Sequence, residues 1–183
     1  GVHGVTLTAV GVDRNGFVWD RCSMSDDREV MSASRRMPVE AAAVWAVLSD
    51  PARHQDTEPT NWVRDAIEPE PLTRVGQVFG MNMAFPQNGE PYVMHNRVIA
   101  LEPERVIAWA PGMLRDGHLS EDTWWTWRYE LEPVDQAGGL ATEVTLTYDW
   151  TDTPDWFREE VPLPAFGVDY LAESLASLEE AAS

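Results

Sequence analysis

Apolar and polar positions alternate through six successive runs, near Val63–Glu68, Gln77–Phe85, Pro91–Leu101, Arg105–Ala110, Thr123–Glu132 and Leu140–Trp150. A period of two marks strands with one buried face. Turn chemistry separates the runs: Asn88-Gly89 within "FPQNGEPY", then "LEPER", then "DQAGG". Successive hairpins predict an antiparallel meander. A further strand fits Asp27 to Arg36, and "MPVEAAAVWAVLSDPARH" follows it. There Pro38 suits a helix start and Glu40 the first turn, while Ala41, Val44, Trp45 and Leu48 form an apolar stripe at helical spacing. Pro51 ends that helix, and a short irregular or helical piece runs to about Pro59. Near the C-terminus, Val168, Leu171, Leu175 and Leu178 recur at three and four residues, which predicts a long helix with one buried face. The expected class is α+β: a curved seven-stranded antiparallel sheet closed by the last helix.

Strand parity assigns the inner face. A hairpin centred on Asn88-Gly89 pairs Phe85 with Tyr92, Met83 with Met94, Met81 with Asn96 and Phe79 with Val98, all on one side. Ala84, Val93, Asn82, His95, Gly80 and Arg97 then face outward. The run "DTWWTWRYELEP" places Trp125, Trp127, Tyr129 and Leu131 on one face and Trp124, Thr126, Arg128 and Glu130 on the other. The next strand adds Val144, Leu146, Tyr148 and Trp150 to the inner face. A filled small core is usually built from Val, Ile and Leu. A wall of rings with N–H and O–H tips, opposed by adaptable methionines, suits a hollow better, although a solid core built from Met and Trp reads the same way. Phe166 and Tyr170 on the last helix complete the expected wall.

The chain has 183 residues, enough for one domain with its own core. It carries 31 acidic and 13 basic residues, a net charge of −18, and every basic residue is arginine. Without lysine there is no Schiff-base chemistry and no P-loop. The acidity argues against nucleic acid and anionic membrane surfaces as partners, and no apolar run approaches the ~20 residues that span a bilayer. Cys22 is the only cysteine, and His3, His54, His95 and His118 show no ligand spacing, so neither metal nor other cofactor is expected. Residues 1–23 balance their own charges and lack a secretory pattern. They read as an upstream extension, or an added hairpin, before a domain spanning 24–183 that begins "MSDDREV". The simplest expected location is the cytoplasm, and the sequence leaves open whether the protein is a monomer or a homodimer.

The ordered segments "MPVEAAAVWAVLSDPARH", "VGQVFG", "VIALEPERVIAWA", "TWRYELEP", "TEVTLTYDW" and "SLASLEE" resemble the START-like helix-grip superfamily (SRPBCC), in its polyketide cyclase/dehydrase branch. The resemblance runs from about Asp27 to Ala182. It implies a sheet gripping the C-terminal helix around a cavity for hydrophobic small molecules, and members range over carriers, cyclases and co-chaperones. Expected cavity residues are Phe79, Met81, Met83, Tyr92, Met94, Asn96, Trp125, Trp127, Tyr129, Leu146, Tyr148, Trp150, Phe166 and Tyr170. No G-x-S-x-G elbow or G-x-G-x-x-G loop is present. His95, the one histidine inside an expected strand, falls on the outer face, and the acid pairs Glu159-Glu160 and Glu179-Glu180 read as solvated. Three functions follow: binding of a lipid- or polyketide-like molecule; a polyketide aromatase/cyclase or dehydratase using Asn96, Tyr129 and Tyr148, with Arg64 unassigned; or a co-chaperone-like or ribosome-associated protein with an acidic exterior.

Overall fold

The computed structural model describes residues 29–112, 114–120, 124–136 and 139–183. The extension at 1–23, the start at Met24 and the outer ends of the strands expected from Asp27 and Thr123 lie outside them. The elements run β1 (Val30–Met37), α1 (Ala41–Leu48), a 3-10 helix (Pro51–Thr57), β2 (Val63–Ile67), β3 (Val78–Ala84), β4 (Pro91–Glu102), β5 (Val106–Gly112), β6 (Leu114–Arg115), β7 (His118–Leu119), β8 (Thr126–Gln136), β9 (Gly139–Asp149), α2 (Asp155–Glu160) and α3 (Val168–Ala182). Seven strands form one antiparallel sheet in the order β1-β9-β8-β5-β4-β3-β2. The meander runs β2, β3, β4, β5, β8 and β9, β1 closes beside β9, and β6 and β7 pair separately as a two-stranded hairpin. The sheet curves around α3, which is the α+β arrangement expected from the strand count and the closing helix: a curved seven-stranded antiparallel sheet closed by the last helix.

The buried stripe of α3 is Leu171, Leu175 and Leu178, each fully buried, with Ala172 and Ser174 beside them. Val168, expected in that stripe, lies in the first turn and is exposed. Leu171, Leu175 and Leu178 join one core with Val44, Val47 and Leu48 of α1 and with Met37, Val144 and Leu146 of the sheet. The C-terminal end of α3 is tied down by Arg53, whose guanidinium donates to the Ala181 carbonyl at 2.6 Å, and by the Arg35–Glu179 ion pair. α1 starts at Ala41, later than Pro38 suggested, because Glu40 keeps an extended backbone at the N-cap position.

The β3–β4 register differs by two residues from that expected. Met83 faces Tyr92, Met81 faces Met94 and Phe79 faces Asn96. The loop is 86–89 and is not centred on Asn88-Gly89. The Phe85 N–H donates to the Glu90 carbonyl at 3.0 Å, the Phe85 carbonyl accepts from the Asn88 and Gly89 N–H groups, and Gly89 supplies the left-handed residue at φ +71°. Pro86 opens this turn earlier than the Asn-Gly signal alone suggests. A slip of two preserves the face of every side chain, so the inner set survives the change of partners. A bulge between Val98 and Ala100 reverses parity in β4, which lets Val98 and Leu101 share the inner side with Trp109 and Ile107 of β5. The short β6–β7 hairpin and α2 were not legible as elements. That hairpin folds back until Leu119 Cδ1 lies 2.9 Å from where a Cβ on Gly112 would be, too close for a side chain there, and Arg97 holds it by donating to the Leu119 carbonyl.

Candidate ligand cavity

Between the concave sheet and α3 lies a cavity of about 1180 Å³. Its volume exceeds the ~300–1,000 Å³ common for small-molecule sites. β3 contributes Phe79, Met81 and Met83 to its wall, and β4 contributes Tyr92, Met94 and Asn96. Trp125, Trp127 and Tyr129 come from the β8 side, Leu146 and Tyr148 from β9, and Phe166 and Tyr170 from the roof. Trp150 was expected here and is absent from the wall. It is buried at 8% exposure, behind Tyr148, on whose ring it stacks at 5.2 Å. Trp124, expected to point outward, precedes the first residue of β8 and turns inward to meet Phe157 of α2 at 5.0 Å. Arg64 is exposed in a shallow groove on the outer edge with Asn82 and Asp65. His95 pairs with Gly80 on the outer side, and the cavity wall does not include it.

Ring contacts make the wall continuous. Trp127 lies 4.6 Å from Tyr148 and stacks on Phe166 at 5.4 Å, and Phe166 meets Tyr170 at 4.7 Å. Such pairs add about 0.5–1.5 kcal/mol each beyond the area they bury, which helps hold the rings of the wall in place. The cavity opens where exposed side chains join its lining: Trp156 of α2, Phe85 and Val93.

His54 also lines the cavity. The 3-10 helix has three residues per turn, so Pro51, His54 and Thr57 fall on one side, and all three are buried. Asp50 starts this helix by accepting from the Ala52 N–H, and Thr57 donates to the His54 carbonyl. His54 stacks on Trp109 at 5.1 Å and meets the Phe79 ring edge-on at 5.3 Å. Its Nε2 lies 2.9 Å from the Leu48 carbonyl oxygen, an acceptor only, so Nε2 carries the proton and Nδ1 keeps a lone pair. The three-residue spacing Pro51-x-x-His54-x-x-Thr57 was the available signal. Trp109 was missed with it because the faces of β5 depend on the bulge in β4.

Burial pushes the His54 pKa below its ordinary 6.5, opposed in part by the Leu48 carbonyl and the charge of Asp50. The folded state then binds fewer protons than the unfolded chain as pH falls below about 6.5. Stability is therefore retained above that pH and lost below it. Urea denaturation at pH 7.5 and 5.5 should show a smaller stability loss on acidification in His54→Gln than in the parent. Equal losses would contradict a buried, neutral His54.

Burial also raises the pKa values of Tyr129 and Tyr148. For Tyr170, burial raises it first and the Glu58 carboxylate adds to the effect. Tyr170 donates to Glu58 Oε1 at 3.0 Å, and the same carboxylate accepts from the Thr60 N–H, the Thr60 hydroxyl and the Trp62 N–H. Tyr92 accepts from the Trp62 indole N–H at 2.6 Å. Among the described residues no arginine lines the cavity, and no group of three or more His, Cys, Asp or Glu side chains is placed to hold a metal ion. No described helix is long and apolar enough to cross a membrane.

No family model matches the chain. Over 120 residues it is 30% identical to an uncharacterised protein of Mycobacterium tuberculosis, covering 66% of this chain and 47% of that one. The chain thus spans about half the length of the curated relatives it matches. Among solved structures it is similar to a Nitrosomonas europaea protein, with TM-score 0.60 and 19% identity over 83% of this chain and 92% of the other. Major latex-like protein 151 from Panax ginseng gives TM-score 0.57 and 16% identity, covering 84% and 97%. Aha1 from Colwellia psychrerythraea gives 0.51 and 18%, covering 84% and 95%. At these identities the likeness establishes the architecture, a curved antiparallel sheet closed by a C-terminal helix.

Proposed function

We propose that this protein binds a hydrophobic or aromatic small molecule, lipid- or polyketide-like, between the sheet and α3. The observation that carries this reading is the cavity of about 1180 Å³ with a continuous aromatic and methionine wall. Apolar surface held away from close packing forfeits dispersion contacts, which an apolar guest restores. Methionines 81, 83 and 94 can repack around guests of different outline. Titrating the full chain with Nile red, an uncharged dye, should give saturable one-to-one binding with energy transfer from tryptophan. A signal that rises linearly without saturation would overturn the reading.

One observation favours a second reading, that the cavity also performs a cyclisation or dehydration. His54 is a buried imidazole kept neutral, with a lone pair on Nδ1, and a group of that kind can take a proton from an acidic C–H or O–H. The polar set considered from sequence divides: Asn96, Tyr129 and Tyr148 line the cavity and Arg64 does not. A carbonyl would then be polarised by neutral donors of the wall, such as tyrosine or asparagine, and not by arginine. Unchanged turnover of a poly-β-ketone substrate in His54→Gln would exclude His54 as the base.

A further inference from the structure

His54, Asn96, Tyr129 and Tyr148 are exposed by only 6, 5, 5 and 3%, yet each lines the cavity. Among the described residues, neither tyrosine hydroxyl nor the Asn96 amide has a hydrogen-bond partner in the protein, and His54 Nδ1 has none either. Among the described residues, no side-chain nitrogen or oxygen sealed from contact with solvent lacks a partner. These polar atoms therefore open into the hollow. They are also close together in the fold. Trp109 bridges His54, at 5.1 Å, and Tyr129, at 5.6 Å between ring centres, while Asn96 faces Phe79 across the β3–β4 ladder and Phe79 touches both His54 and Trp109. Tyr148 stands beside Trp127, the ladder partner of Trp109.

The charges around them are as informative. No arginine lines the cavity among the described residues, so a buried carboxylate would find no countercharge. Among the described residues, Glu58 is the one carboxylate of the interior wall, and four donors already occupy it. Asp152, the other lining carboxylate, is exposed at the mouth. Both tyrosines are protonated at neutral pH, burial raising their pKa values further, and burial disfavours the charged form of His54.

We propose that the cavity selects uncharged ligands with a hydroxyl or carbonyl on an aromatic or polycyclic body, read by His54, Asn96, Tyr129 and Tyr148. A ligand hydroxyl donates to His54 Nδ1 and accepts from a tyrosine O–H. A carbonyl accepts from the tyrosines or the Asn96 amide. Free fatty acids and other carboxylates are rejected because their charge would be stripped of water and left unpaired. The inference rests on the cavity-binding reading above and names its ligand class.

The test is isothermal titration of the full chain at pH 7 with naphthalene, 2-naphthol, 2-naphthoate and protonated 2-naphthylmethylamine. These four share one ring system and differ in the polar group. 2-Naphthol should bind at least ~10-fold more tightly than each of the others, a difference of about 1.4 kcal/mol. Equal or tighter binding of naphthoate or the ammonium would overturn the selectivity while leaving the cavity reading intact. If none of the four binds, the cavity reading falls and this inference with it. Tyr129→Phe, Tyr148→Phe and His54→Phe, which keep a ring in place, should each lower the naphthol-to-naphthalene affinity ratio several-fold. The tyrosine variants should melt at the parent's temperature, since the lost hydroxyl has no protein partner. An unchanged ratio in both tyrosine variants would overturn the assignment, even where His54→Phe fails to fold.

Discussion

Leu175→Ala is expected to cost about 2–5 kcal/mol of stability, toward the upper part of that range. Leu175 is fully buried at the centre of the α3 stripe, between Leu171 and Leu178, in the same core as α1 and β9. The cost of such a deletion depends on how far the surroundings collapse into the space left behind. Here collapse is restrained. Arg53 donates to the Ala181 carbonyl and Arg35 pairs with Glu179, so α3 cannot slide along its axis without breaking both. Equilibrium urea denaturation measures the loss as a shift in midpoint. A cost below about 1 kcal/mol would mean that α3 is not the element the sheet grips.

Ser174→Trp should have the opposite balance, with stability largely kept and ligand binding reduced by at least ~10-fold, or about 1.4 kcal/mol. Ser174 is 5% exposed, neighbours Tyr170 on α3, and lines the cavity. In a filled core, forcing in an indole would displace its neighbours and cost about 1–3 kcal/mol. In a hollow, the ring occupies ligand space, and its N–H can donate to the oxygen of Tyr129 or Tyr148, whose hydroxyls have no protein partner among the described residues. Thermal melting and Nile red titration of the same variant separate the two pictures. A large drop in melting temperature together with unchanged dye binding would contradict the hollow.

The inner face was legible because strand parity is robust. The β3–β4 register slipped by two residues and still left Phe79, Met81, Met83, Tyr92, Met94 and Asn96 on the cavity side. Parity fails where the backbone departs from a regular strand. Trp124 precedes the first residue of β8 and follows the loop inward. Trp150 follows the last residue of β9 and falls behind Tyr148. Trp109 was hidden by the bulge that resets β4 against β5. His54 was illegible for another reason. Its position is set by a 3-10 turn whose period of three resembles neither a strand nor an α-helix, and seven residues are too few to establish such a period. Arg64 could not be assigned from sequence, because β2 carries its own register shift between Val63 and Ala66.

On the proposed reading, the sheet and α3 enclose a hollow that takes an uncharged aromatic guest against His54 and Tyr129. Crystals grown with 6-bromo-2-naphthol, measured at the bromine absorption edge, test it most directly. The expected result is one anomalous peak inside the sheet beneath Phe166, with the naphthol oxygen within hydrogen-bond distance of His54 Nδ1 or the Tyr129 hydroxyl. A closed interior with Trp109, Trp127 and the methionines packed on one another, and bromine only on the outer surface, would contradict it.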